Sequence, residues 1–292
     1  MPRSMTRRHF LQRGAAAAVA LSTTPSLLAD PLGLPIGCQT YPVRASINPD
    51  FAGTMKGLSA AGFQTIELCS PFGYKEFSSL AQYKPQELRT MLHDYGLTCI
   101  SAHFDTSELF NHAEERIAWA KELGLTQMAT ASLGFGTLPK GVPPTVGDVS
   151  RVTDLFNTFA ARAHDAGIIA VLHNEAFETT SIDGKRVYDM EIERLDAKTV
   201  KLQFQVSTMQ RGFDPVDYFT RYPDRYISMH CQDWVMTSEG KAKQVPLGKG
   251  VVDWRKVFTA AGKAHIQNYF VELEQDPALM AQSVPYLKSL QV

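Results

Sequence analysis

The sequence predicts an α/β protein built as a single (β/α)8 barrel, and three observations carry that expectation. From residue 36 onward short apolar runs alternate with longer amphipathic ones. Four of the amphipathic runs end in a glycine followed by an apolar residue, at Ala61-Gly62, Tyr95-Gly96, Leu123-Gly124 and Ala166-Gly167. That is the left-handed cap a helix needs before the chain turns back into a strand. Eight strand-like runs in roughly 250 residues match the barrel in both count and size.

In chain order the strands are read at Ile36–Thr40, Gln64–Cys69, Thr98–His103, Gln127–Ala131, Ile168–His173, Val200–Val206, Tyr226–Cys231 and Asn268–Glu272. Helical patterns lie between them at Phe51–Ala61, Pro85–Tyr95, Ala113–Leu123, Val149–Ala166, Pro215–Tyr222, Asp253–Ala264 and Pro277–Leu290. The competing architecture is an open, doubly wound sheet. That fold usually carries a glycine-rich phosphate turn after its first strand, and the residues there are Thr40-Tyr41-Pro42-Val43-Arg44. The barrel is the better reading, and no linker divides it.

Composition sets further bounds. The chain has 292 residues, is 44% hydrophobic and 20% charged, and carries a formal net charge of -1. This is globular composition, which excludes low-complexity, collagen-like and disulfide-scaffold classes. Residues 1–29 hold four arginines (Arg3, Arg7, Arg8, Arg13) and no Asp, Glu or Lys, so the remainder is net acidic. A duplex-binding protein needs a basic footprint that this chain does not offer.

The paired Arg7-Arg8 precedes the mild apolar run Gly14 to Leu21. The combination resembles a bacterial twin-arginine export signal over residues 1–29, with the barrel at 30–292. It implies the twin-arginine translocase as a partner during export and the periplasm as destination. The apolar run is too short to span a bilayer, and no cysteine near it suggests a lipid anchor. Cys38, Cys69, Cys99 and Cys231 are scattered in apolar runs, which reads as buried free thiols rather than bridges.

In such a barrel the chemistry sits at the C-terminal strand ends, and residues two apart share a face. By that rule Glu67 ends the second strand and His103 the third. His173 and Glu175 share a face of the fifth, Gln203 and Gln205 of the sixth. His230 and Asp233 end the seventh, and Glu272 and Glu274 the eighth. Charged groups beside apolar strands are costly without partners or a metal, so His173, His230, Glu175 and Glu272 are expected to converge on one cation.

From about residue 35 onward the chain resembles the xylose-isomerase-like TIM barrels, the sugar isomerase and epimerase superfamily. The segments that carry the resemblance are Leu172-His173-Asn174-Glu175-Ala176-Phe177-Glu178, Asp214-Pro215-Val216-Asp217-Tyr218-Phe219 with Tyr222-Pro223, and Ile227-Ser228-Met229-His230 with Asp233-Trp234. To these are added Leu247-Gly248-Lys249-Gly250-Val251-Val252-Asp253-Trp254 and Val271-Glu272. The resemblance implies a divalent cation held by strands five to eight, here at His173, Gln205, His230 and Glu272. Gln205 stands where an Asp is usual and His173 where many members have Glu. One carboxylate in place of three favours Mn or Zn held more weakly, and leaves the ion a stronger Lewis acid. The other outcomes are loss of the metal, or Glu175 or Glu274 replacing a missing carboxylate.

The implied activity is metal-assisted isomerisation or epimerisation of a non-phosphorylated sugar or keto-sugar. Glu175 or Glu272 is expected as base and His103 as second proton carrier, with Glu67, Asp233 and Trp234 binding substrate. Elimination, by a lyase or hydratase acting on 3-keto-glycosides, would use the same groups. The rival from another class is a non-catalytic periplasmic sugar-binding barrel. Family barrels often pair through their helical faces, so a homodimer is also on the table.

Each residue has a plainer reading. His103 is equally well a core histidine, Glu67 a partner for Lys75, and Asp233 a cap for its own loop. Trp234 and Phe72 either stack on a sugar or pack. Asp253 reads as a helix N-cap, and His93, His112, His164 and His265 as solvent-facing.

Overall fold

The computed structural model describes residues 30–139 and 141–292. The twin-arginine segment lies outside the described residues. Eight parallel strands close into a barrel: β1 (Gly37–Gln39), β2 (Thr65–Cys69), β3 (Thr98–His103), β4 (Gln127–Thr130), β5 (Ile169–His173), β6 (Val200–Gln205), β7 (Tyr226–Cys231) and β8 (Asn268–Val271). Each strand pairs with its neighbours in sequence, and β1 closes on β8 through Gly37↔Phe270 and Cys38↔Val271. Gly37 is required at that seam, since a Cβ there would lie 2.5 Å from the Tyr269 carbonyl oxygen.

The surrounding helices are α1 (Phe51–Ala61), α2 (Pro85–Asp94), α3 (Ala113–Leu123), α4 (Val146–Asp165), α5 (Val187–Arg194), α6 (Pro215–Arg221), α7 (Trp254–Lys263) and α8 (Ala278–Ser289). The four capping glycines adopt positive φ, from +78° at Gly96 to +102° at Gly62, so each return turn is built as its sequence requires. Asp253 caps α7 by accepting from the Lys256 amide. All four cysteines are buried free thiols. Among the described residues no helix is long and apolar enough to cross a membrane.

One core lies between strands and helices, with outward-facing residues such as Ile66, Leu68, Leu172, Leu202 and Met229 fully buried in it. Inside the barrel Ala129, Val171 and Ile227 form a small apolar plug. Above that plug the inward faces turn polar. Two register shifts set the facing there: Glu67 pairs with Ser101 directly after Ile66↔Cys99, and Gln203 pairs with Ser228 directly after Leu202↔Tyr226. Each shift adds one residue to a strand, so Ser101 and His103, and Ser228 and His230, meet Glu67 and Gln203 on the same side.

Helix α5, the short helix Thr106–Asn111 and the hairpins joining Ser181–Ile182 to Lys185–Arg186 and Asp233–Met236 to Ala242–Val245 are among the elements the sequence pattern did not foretell. In α5 the buried face is Val187, Tyr188, Glu191 and Ile192, and the glutamate interrupts the apolar stripe that marks a helix.

Candidate active site

Glu67 is the hub of the barrel's polar end. Its side chain is fully buried and five donors surround it. Oε1 accepts from Ser101 Oγ at 2.6 Å and Gln203 Nε2 at 2.9 Å. Oε2 accepts from Gln39 Nε2 at 2.8 Å and His230 Nε2 at 2.5 Å, with His103 Nε2 at 3.3 Å. Burial alone would raise its pKa, but the charges of His103 and His230 outweigh it and hold the carboxyl well below the usual carboxylate range. The partner proposed for Glu67 from sequence, Lys75, takes no part, because Glu67 faces the barrel axis.

His230 bridges that hub to a second carboxylate. Its Nδ1 lies 3.1 Å from Glu272 Oε2, which also accepts from Gln205 Nε2 at 2.7 Å and Gln232 Nε2 at 2.9 Å. Burial opposes charge on the imidazole, yet Glu272 and Glu67 together raise its pKa to about 10. Glu272 responds in kind: burial pushes up, and His230 pulls its pKa down to about 2. His173 behaves oppositely. Buried beside two other imidazoles, it is driven well below the ordinary histidine range and is a neutral acceptor.

The three histidine rings form one cluster. His173 and His230 centroids are 4.5 Å apart, and His103 lies 5.2 Å from each. One ligand atom from each ring falls within 4.8 Å of the others. Among the described residues two buried polar atoms here have no partner, His173 Nδ1 and Gln205 Oε1. Three imidazoles, an unpartnered amide oxygen and the Glu272 carboxylate make a donor set that suits a divalent cation of borderline softness. The residues present fit the metal that the sequence implies once His230 gives up one ring proton, since both of its nitrogens face carboxylates and only a neutral imidazole ligates. His103 is an addition to the expected set of His173, Gln205, His230 and Glu272.

A cavity of about 290 Å³ opens above the cluster, with His103, His173 and Glu272 on its floor and Glu175 and Glu274 on its side. Glu175 has no hydrogen-bond partner among the described residues; burial and the nearby Glu272 charge raise its pKa. Burial, Glu272 and Glu175 together raise Glu274 to about 7, opposed by Arg44 at 3.9 Å. Among the described residues no lysine or arginine lines the cavity, although Arg44 stands behind its Tyr41 and Glu274.

Seven of the residues predicted from sequence meet in this region: Glu67, His103, His173, Glu175, Gln205, His230 and Glu272. Asp233 and Trp234 do not join them. Asp233 is fully buried and its two oxygens accept from the amides of Trp234, Gly248, Gly250 and Val252 and from the Trp254 indole. It organises the loop behind β7. Trp234 sits in the apolar core of that hairpin. Phe72 packs edge-on to Trp119 at 5.9 Å, with the Arg116 guanidinium 3.9 Å above its ring.

Sequence reasoning missed Gln39, Tyr41, Tyr74 and Phe135, which also line the cavity. Gln39 was findable by the same two-apart rule, since it ends β1. The aromatic residues lie on loops, where no periodicity marks them.

A family model described as xylose isomerase-like TIM barrel matches residues 56–290. The chain belongs to the xylose isomerase-like TIM barrel family. No curated protein matches it. Among solved structures it is similar to a sugar phosphate isomerase/epimerase from Parabacteroides distasonis, at 21% identity and TM-score 0.71 over 87% of this chain and 93% of that one. It is also similar to a xylose isomerase-like TIM barrel protein from Mycobacterium smegmatis in complex with magnesium, at 16% identity and TM-score 0.66 over 87% and 95%. A probable 3-DHS dehydratase from Bacillus anthracis matches at 12% identity and TM-score 0.64 over 88% and 97%. These likenesses bear on the fold.

Proposed function

We propose that this xylose isomerase-like barrel is an exported, metal-dependent enzyme that moves a proton next to a carbonyl on a non-phosphorylated sugar or keto-sugar. The observation that carries the reading is the meeting of three imidazoles and two hydrogen-bonded carboxylates beside a cavity that, among the described residues, no lysine or arginine lines. A phosphorylated substrate would bring at least one negative charge against Glu175, Glu272 and Glu274, with no arginine or lysine among the described lining residues to receive it. Export as a folded protein, suggested by Arg7-Arg8, agrees with a site loaded before translocation.

His173, His230, Gln205 and Glu272, with His103 at hand, would hold the cation. Mn or Zn bound there would polarise a substrate carbonyl and acidify the neighbouring C–H. Glu175 is the better base of the two glutamates. It is unpartnered and faces the cavity, and its raised pKa makes it a stronger proton acceptor than Glu272, which three donors hold. Glu272 instead fixes His230 and presents a constant negative charge. His103, held by Gln203 Oε1 at 2.8 Å, is placed to carry the second proton.

That asymmetry supports a second outcome of the same chemistry. A symmetrical epimerase needs two interchangeable bases, whereas one free glutamate and one fixed glutamate suit proton abstraction followed by loss of a β-leaving group. A lyase or hydratase acting on 3-keto-glycosides is that case, and a dehydratase stands among the fold's neighbours. A screen of ketoses, their phosphates and 3-keto-glycosides with Mn- or Zn-loaded protein tests the reading. Turnover of a neutral substrate that vanishes in Glu175→Gln supports it. Turnover confined to sugar phosphates, or untouched by Glu175→Gln, contradicts it.

A further inference from the structure

The mouth of the barrel is divided into two unlike walls. Tyr41 after β1, Tyr74 after β2 and Phe135 after β4 line one side of the cavity, with the Asp105 carboxylate after β3 the one charged group among them. Glu175 after β5 and Glu272 and Glu274 after β8 line the other. The aromatic wall is built rather than incidental. Tyr41 and Tyr74 meet edge-to-face at 6.2 Å, and Tyr74 rests in turn on Phe77 at 6.3 Å. The Arg44 guanidinium backs Tyr41 at 4.1 Å from the ring centroid.

Phe135 is the unusual member. It is 45% exposed, although a phenylalanine gains by burial. The backbone on both sides holds it there. At Gly134 a Cβ would lie 2.5 Å from Phe177 Cβ, and Gly136 has φ +69°, so glycine is required before and after the ring. An apolar ring fixed at the rim of a polar cavity implies an apolar occupant. Phe135 offers neither donor nor acceptor, so hydroxyls pressed against it would lose water without compensation.

We infer that the substrate is amphipathic: a glycoside whose sugar faces the imidazoles and carboxylates while an aromatic aglycone rests against Phe135 and Tyr74. The inference rests on the sugar-handling reading given above and narrows its substrate class. Aromatic rings gain from offset or edge-on contact beyond the area they bury, and the two walls fix which end of the ligand enters first.

Isothermal titration of the intact, metal-loaded protein with phenyl β-D-glucopyranoside, methyl β-D-glucopyranoside and cellobiose tests this. The phenyl glycoside should bind about tenfold more tightly than the other two. Phe135→Ala should erase that advantage while changing methyl glycoside affinity by less than about twofold, and Phe135→Leu should retain part of it. Equal binding of phenyl and methyl glycosides by the wild-type protein would overturn the aromatic subsite and leave the sugar reading standing. So would tightest binding of cellobiose, or an equal loss for both glycosides in Phe135→Ala. Failure of all three to bind would overturn the aromatic glycoside and leave the keto-sugar reading to the turnover screen above.

Discussion

His230 and Glu67 meet across the barrel axis, Nε2 to Oε2 at 2.5 Å, and so join β7 to β2. The contact gives the imidazole a carboxylate on each side, because Nδ1 lies 3.1 Å from Glu272. In the metal-free protein Glu67→Gln should strip His230 of one counter-charge, lowering its pKa from about 10 toward the ordinary histidine range. NMR titration of the imidazole reads this directly. Breaking a buried pair from one side should also cost about 3–5 kcal/mol of stability in urea.

The two glutamates at the floor and side of the cavity should part company on substitution. Glu175→Gln should lower kcat by roughly 10²–10⁴-fold and leave metal content intact, since Glu175 touches neither His173 nor His230. Glu272→Gln should reduce both metal content and turnover. A non-catalytic binding barrel would retain its ligand in both variants and show no turnover to lose.

A separate pair of acids governs stability against pH. Glu178 and Glu191 are fully buried, and among the described residues three of their four carboxylate oxygens have no partner. Glu178 Oε1 accepts from the Leu133 amide and so ties the loop after β4 to the loop after β5. Burial raises Glu178 to about 8, and burial together with the charge of Glu178 holds Glu191 well above the usual carboxylate range. A carboxyl raised in the folded state contributes stability that is complete below its unfolded pKa of about 4.3 and is lost as pH rises. The wild-type protein should therefore weaken between about pH 4.5 and 8, through these groups, by a few kcal/mol. Glu178→Gln should flatten that slope in urea titrations across the same window. An unchanged slope would assign the effect elsewhere.

Asp233 should behave as a structural residue. With five donors on its carboxylate, Asp233→Ala should cost about 3 kcal/mol and broaden the loop through Gly250 in hydrogen exchange, while metal stoichiometry stays at the wild-type value. Loss of metal at unchanged stability would return Asp233 to the site.

Most of the barrel was legible because its signals are local. Thr98–His103, Tyr226–Cys231, Phe51–Ala61 and Ala113–Leu123 fall where apolar period and glycine caps place them. The floor of the site was legible for the same reason: alternation along a strand fixes which side chains enter the barrel. What it could not supply was the partner of each group. Asp233 and Glu67 both follow apolar strands, yet one turns back into its own loop and the other is met by residues from β1, β3, β6 and β7. Those meetings depend on closure and on register shifts near Ile100 and Ile227, which carry no mark in composition. Helix α5 was hidden by Glu191, a charge in the middle of a buried face.

Elemental analysis of the folded protein, beside His230→Ala and Gln205→Ala, tests the central proposal most directly. Near-stoichiometric Mn or Zn is expected in the wild-type protein, with loss of it in His230→Ala and weaker retention in Gln205→Ala. Absence of metal after reconstitution with either ion would contradict it, leaving the three histidines and Glu67 as a metal-free acid–base centre.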